Sequence, residues 1–367
     1  MVERLNGGRP ILAPSDLWWE NSVTHNTAAL YLKRSAANEA LIAGLLGVEG
    51  FGDLRSKDGV VVLHYRARPR EDPGYPWSRS FVGLAVLTPE FEILRRYDTP
   101  VLAPDENPDA YDYLGVEDPR ITPLADGFCM VYCGVARHYR WRRHPVYDWR
   151  AQVCLAWSRD LLHWEKLGPI AGEVNAANNK DGVLFPGKVR GQYLLLHRPM
   201  VGEPQDFAIA LAASDALGGP WVNCGDLFRA QPNPAFVASW VGAGSVPIAL
   251  GGDRFVEIYH TGNRLASGGV EYDLDAALLD LSAFDGTSTA SAAVRRLEHL
   301  MAPETPQELG RTSEQGVSNV LFIWGSHERG GWIYLTYGGA DSLVFAARVG
   351  AEALLAALER SPRERVL

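Results

Sequence analysis

The chain has 367 residues, of which 47% are hydrophobic and 22% charged, and its formal net charge is −9. This composition gives an ordinary globular core and excludes a disordered or low-complexity chain. The acidic balance argues against a nucleic-acid binder, and no apolar run approaches the ~20 residues of a membrane span.

The opening residues, Met1-Val2-Glu3-Arg4-Leu5-Asn6-Gly7-Gly8, lack the apolar stretch of a secretory signal. Cys129, Cys133, Cys154 and Cys224 fit neither a disulfide framework nor a C-x-x-C zinc pattern. The expectation is a cytoplasmic protein with free thiols, without metal or cofactor. With 37 Gly and 23 Pro the chain favours many turns over long helices. Its 11 Trp and 14 Tyr suit either packed β-structure or flat platforms for sugar rings.

In chain order, a helix is expected over 36–46, and then a β-like run recurs five times. The runs are Gly59-Val60-Val61-Val62-Leu63-His64-Tyr65-Arg66, Gly127-Phe128-Cys129-Met130-Val131-Tyr132-Cys133 and Gly191-Gln192-Tyr193-Leu194-Leu195-Leu196-His197-Arg198. Asp253-Arg254-Phe255-Val256-Glu257-Ile258-Tyr259-His260 and Gly331-Trp332-Ile333-Tyr334-Leu335-Thr336-Tyr337-Gly338 complete the set. Anchored on Tyr65, Tyr132, His197, Tyr259 and Tyr337, the spacings are 67, 65, 62 and 78 residues. Each run is followed by a small-residue strand and preceded by an apolar segment with one or two polar residues. Five such units predict an all-β, five-bladed propeller forming one domain over 1–367, with a second short helix over 351–359. The first strand of each blade then lines a central funnel, which receives Asn26, Asp118, Asp181 and Asn319. Buried there, such residues need a ligand or water as partner. Small residues at Gly242-Ala243-Gly244 let a backbone approach a ligand or a neighbouring blade. A β-sandwich is the alternative fold.

No H-E-x-x-H, P-loop, G-x-S-x-G or dinucleotide fingerprint is present. Two features carry chemistry instead. Gly115-Val116-Glu117-Asp118-Pro119-Arg120 places two carboxyls beside a proline. One of them suits a general acid, and the competing reading is a structural ion pair with Arg120. Lys180, Arg198, Tyr259 and His260 fall at equivalent blade positions and together suit an oxyanion such as phosphate.

These segments, with Pro10-Ile11-Leu12, Lys180-Asp181, Leu184-Phe185-Pro186, His197-Arg198-Pro199, Tyr259-His260 and Gly338-Gly339-Ala340-Asp341, resemble glycoside hydrolase family 130 over almost the whole chain. That family comprises mannoside phosphorylases and related β-mannosidases, and its fold is a five-bladed propeller. The resemblance implies cleavage of a β-mannoside or manno-oligosaccharide with inversion, by inorganic phosphate as co-substrate. It makes Asp118 the general acid, acting through a hydroxyl of the bound mannose. Asn26, Arg66 and Asp341, with Glu117 and Asp181, are expected to bind the sugar. Lys180, Arg198, Tyr259 and His260 are expected to bind phosphate.

The chain departs from the family's phosphorylases at Trp240, usually Lys, and at Thr261, usually Gly. An inverting hydrolase using water is therefore the alternative, with Glu257 or Glu271 as base. A non-catalytic sugar-binding propeller is a third reading. Finally, 137–150 interleaves five Arg with aromatics. It suits a grip on sugar or phosphate over the funnel, a contact between copies in a homo-oligomer, or a solvated loop.

Overall fold

The computed structural model describes residues 1–51, 58–137, 149–310 and 316–366. Five antiparallel sheets follow one another along the chain and form a five-bladed propeller. The first blade is built from Val23–Lys33, Gly59–Arg68, Phe81–Leu87 and Ile93–Arg96, innermost strand first. The second contains Gly115–Leu124, Gly127–Arg137, Trp149–Ser158 and Glu165–Pro169. The third contains Asn179–Leu184, Tyr193–Pro199, Ala208–Ser214 and Val222–Arg229. In the fourth the inner position is shared by Ala238–Gly242 and Ile248–Gly251, followed by Arg254–Arg264, Val270–Asp280, Ala293–Met301 and Arg363–Arg365. The fifth runs Leu321–Arg329, Trp332–Gly339, Leu343–Gly350, and its outer strand is the amino-terminal Val2–Arg4.

The unbroken apolar runs follow from this arrangement, because a middle strand is buried on both faces. Val60 and Val62 pack against the second blade, whereas Val61, Leu63 and Tyr65 pack against the fifth. Each of the five gaps between neighbouring blades holds its own apolar core. The two α-helices among the described residues dress this ring from outside. The first is Glu39–Phe51, not 36–46: residues 36–38 form a turn, and the Asn38 amide is tied back to the Lys33 carbonyl at 3.0 Å. Gly47, at φ 71°, departs from helical geometry where the expected helix ended. The second is Ala351–Arg360, which buries Leu354 and Leu358 between the fourth and fifth blades. No helix among the described residues is long and apolar enough to cross a membrane, and all four cysteines are buried thiols.

Three inner strands break register at corresponding points, between His25 and Thr27, Glu117 and Arg120, and Lys180 and Val183. The residues at these bulges, Asn26, Asp118 and Asp181, have φ of 49°, 56° and 56°. Asn and Asp tolerate this left-handed region better than other side chains, so backbone and chemistry select the same residue types. Asn319 differs. It has φ 61° but lies in a bend before Leu321–Arg329, half-buried, and not on the inner strand as expected.

The small residues at 242–244 answer to close approach. A Cβ on Gly244 would stand 2.2 Å from the Ile258 carbonyl oxygen, and one on Gly242 would stand 2.2 Å from Asp181 Oδ2. Gly244→Ala is expected to destabilise the protein by about 1–3 kcal/mol, as overpacked sites do, read as a lower urea midpoint at unchanged m-value.

Candidate active site

The mouth of the funnel has two chemically different halves. On the side of the first and second blades stand the carboxyls. Asp118 is buried, and its Oδ1 accepts from Asn26 Nδ2 at 2.8 Å and from Arg66 Nη1 at 3.1 Å. Arg66 also donates to Glu117 Oε1 at 2.6 Å and to Ser80 Oγ at 2.9 Å. Glu117 takes a second cation, Lys180, at 3.0 Å. Next to them, Asp341, at φ 52°, keeps a partly exposed carboxylate 2.7 Å from His25 Nδ1.

On the side of the third and fourth blades stand the cations and donors. Asp181 Oδ2 lies 3.1 Å from Arg198 Nε and 3.5 Å from His260 Nε2. The His260 ring stacks on Trp324 at 5.2 Å and meets Phe322 edge-on at 4.9 Å. Below both halves Arg120 occupies the axis. It donates to the carbonyls of Ala243 at 2.9 Å, Gly244 at 3.0 Å and Asp118 at 3.3 Å, and to Asp181 Oδ1 at 3.4 Å. Its guanidinium lies 4.6 Å from the Trp324 ring centre. Arg120 therefore pairs with Asp181, not with the carboxyls of Glu117 or Asp118.

Asn26, Arg66, Glu117, Asp118, Lys180, Asp181, Arg198, His260 and Asp341 all belong to this constellation. Three other expected residues do not. Tyr259 is fully buried in the core between the third and fourth blades, edge-on to Phe228 at 5.1 Å. Consecutive strand residues point to opposite faces, so placing His260 at the funnel turns Tyr259 away from it. Glu257 shares the face of Tyr259. It is fully buried with Oε1 accepting from the Gly244 amide at 2.8 Å, which suits a structural group rather than a base at the mouth. Glu271 lies on the face opposite its neighbour Tyr272, with Asp273 and His299.

Tyr272, unlike Tyr259, reaches the site. Its hydroxyl accepts from Trp240 Nε1 at 3.0 Å, and its ring packs on Phe322 at 4.4 Å. Trp240 is buried with Met200 and Phe207, and Phe207 lies 5.9 Å from the Arg198 guanidinium. Gly262 makes room for this pair, since a Cβ there would meet both rings within 2.6 Å. Arg68, two residues beyond Arg66 on the same strand face, adds a cation near Asp341 and Glu117 that the sequence reading missed. Of the 137–150 stretch, 138–148, including Arg140, Arg142 and Arg143, lies outside the described residues.

The family described as beta-1,4-mannooligosaccharide phosphorylase, glycoside hydrolase family 130, matches residues 60–360. A 1,2-beta-oligomannan phosphorylase of Thermoanaerobacter sp. (strain X514) is 30% identical over 92% of this chain and 94% of its own. A beta-1,2-mannobiose phosphorylase of the same organism is 28% identical over 94% and 96%. The solved beta-1,2-mannobiose phosphorylase from Listeria innocua shares the fold, with a TM-score of 0.69 at 20% identity, covering 98% of this chain and 99% of the other.

Charge states follow from the packing. Burial works against the charge on Glu117, but Arg66 and Lys180 outweigh it and hold the carboxyl below its ordinary value. Burial is likewise overcome at Asp181 by Arg198, His260 and Arg120, and at Asp341 by His25, Arg66 and Arg68. Burial dominates at His260 and lowers its pKa despite Asp181, which leaves a neutral ring at pH 7. A carboxylate with a depressed folded pKa adds stability that is complete above its unfolded value of about 4 and drains as pH falls through the folded value. Asp341→Asn is therefore expected to lower Tm at pH 7, with the gap to wild type closing as pH falls below about 4. Thermal melts across pH check this, and a gap that stays constant would contradict it.

Proposed function

The chain belongs to glycoside hydrolase family 130, and from that membership we propose that it cleaves β-mannosides by phosphorolysis. The products are mannose 1-phosphate, formed with inversion, and the shortened saccharide. The observation that carries this reading is the pairing of an acid half with an oxyanion-binding half across one funnel. Asp118 is the general acid, its Oδ1 fixed by Asn26 and Arg66. Asn26, Arg66 and Asp341 hold the mannose that reacts. Its proton reaches the glycosidic oxygen through a hydroxyl of that mannose.

Phosphate is a dianion near neutral pH, and charge-assisted donors must offset its desolvation. Arg198 supplies a planar fork beside Asp181, and His260, fully buried behind that carboxylate, can give its single N–H to phosphate only in exchange for Asp181. Lys180 supplies a point charge shared with Glu117. Tyr272 joins them. Its oxygen already accepts from Trp240, so its own proton is free to be donated. Trp240 itself brings no charge, so phosphate affinity is expected to be weak for such a site. The burial of Glu257 and the outward face of Glu271 disfavour water activation by either.

Rates of β-mannoside cleavage against phosphate concentration test the reading, with mannose 1-phosphate resolved from mannose. Cleavage is expected to require phosphate, with a high KM for it. Free mannose as the only product, at a rate flat in phosphate, would overturn it. Asp118→Asn is expected to reduce turnover roughly 10²–10⁴-fold while leaving the thermal melt nearly unchanged. Arg198→Ala is expected to raise KM for phosphate about 10–100-fold, the size of a lost charge-assisted hydrogen bond.

A further inference from the structure

An aromatic cluster stands near the start of the strand that carries Asp118, outside the residues given roles above. The segment joining the second and third strands of the first blade carries Tyr75 and Trp77, and Tyr113 lies just ahead of Gly115–Leu124. Ring centres are 6.5 Å apart for Tyr75 and Trp77, 5.8 Å for Tyr75 and Tyr113, and 6.0 Å for Trp77 and Tyr113. Two arginines brace the cluster. Arg137 lies 4.4 Å from the Trp77 ring centre and 4.7 Å from that of Tyr113. Arg79, paired with Asp72 at 2.7 Å, covers Tyr75 at 3.3 Å.

This cluster belongs to none of the five cores between blades, and Tyr75 and Trp77 remain half-buried. The Trp77 indole N–H is shielded from solvent and has no hydrogen-bond partner. The segment is also fastened to the acid. Ser80 bridges to Gly115 at the start of the Asp118 strand, and its hydroxyl accepts from Arg66.

We propose that Trp77 and Tyr75, backed by the buried ring of Tyr113, form the binding platform for the departing sugar, the part of the mannoside released when the bond is cut. The inference rests on the phosphorolysis reading above. Inversion requires phosphate and the departing oxygen to lie on opposite faces of the anomeric carbon. The phosphate donors belong to the third and fourth blades, so the departing sugar is directed toward the first and second, where these rings stand. Aromatic faces receive the C–H face of a pyranose.

The reverse reaction separates the two substrates. Initial rates of synthesis from mannose 1-phosphate are measured with mannose and with β-mannobiose as acceptors, for wild type, Trp77→Ala, Trp77→Phe and Tyr75→Ala. Trp77→Ala is expected to raise the acceptor KM about tenfold and leave that for mannose 1-phosphate within about twofold. Trp77→Phe keeps an aromatic face of smaller area, and is expected to fall between. An acceptor KM unchanged in both alanine variants, or both KM values rising together, would overturn the assignment. A wild type that makes mannosides while the variants match it removes this inference alone. A wild type that makes no product from mannose 1-phosphate removes the phosphorolysis reading, and this inference with it.

Discussion

The buried charge of Arg120 is the constraint on which the rest of the funnel depends. A guanidinium taken out of water is tolerable only when its donors are satisfied by a fixed set of acceptors. Here those acceptors come from three different blades: the Asp118 carbonyl, the Asp181 carboxylate and the carbonyls of Ala243 and Gly244, with Trp324 of a fourth blade beneath. One side chain thus sets the separation between the strand bearing the acid and the strands bearing the cations. Burial lowers the pKa of Arg120, against the pull of Asp181 and Asp118, so those two partners offset part of the cost of holding a cation there.

The same economy governs the mouth. Carboxylates and cations are interleaved so that each charge is met before any ligand arrives: Glu117 by Arg66 and Lys180, Asp181 by Arg198 and Arg120. A bound anion or sugar hydroxyl then exchanges partners within a network that is already oriented. Such preorganisation limits the reorganisation needed as charge develops in a transition state.

Much of this was legible from residue order. Near-even spacing of β-like runs gave the blade count, and polar residues in otherwise apolar inner strands pointed to Asn26, Asp118 and Asp181. Their left-handed backbone explains why that inference worked, since few residue types combine tolerance of positive φ with a polar tip. The direction of side chains along a strand was less legible. Tyr259 and His260 looked like a pair because they are adjacent, yet adjacency in a strand separates two side chains. Tyr272 was missed for the converse reason: it meets His260 and Trp240 only through pairing of neighbouring strands. Trp77 and Tyr113 were missed because their segments carry no periodic signal, and only tertiary packing brings them together.

The ring is closed by a strand from the opposite end of the chain, Val2–Arg4 pairing with Leu343–Gly350 in the register Val2↔Val349 and Arg4↔Ala347. During synthesis those first residues have no place in any sheet until almost the whole polypeptide has left the ribosome. Contacts between such distant segments form slowly, because a very long loop must be closed before they bring any gain. Blades one to four can assemble as they emerge, each against its predecessor, but the seam waits. Until it shuts, the first and fifth blades each keep an apolar flank, Val61 and Leu63 on one side and Val344 and Ala346 on the other, without its final neighbour. Closing that seam also completes the funnel, since His25, next to Asn26 in the first blade, and Asp341 of the fifth meet across it.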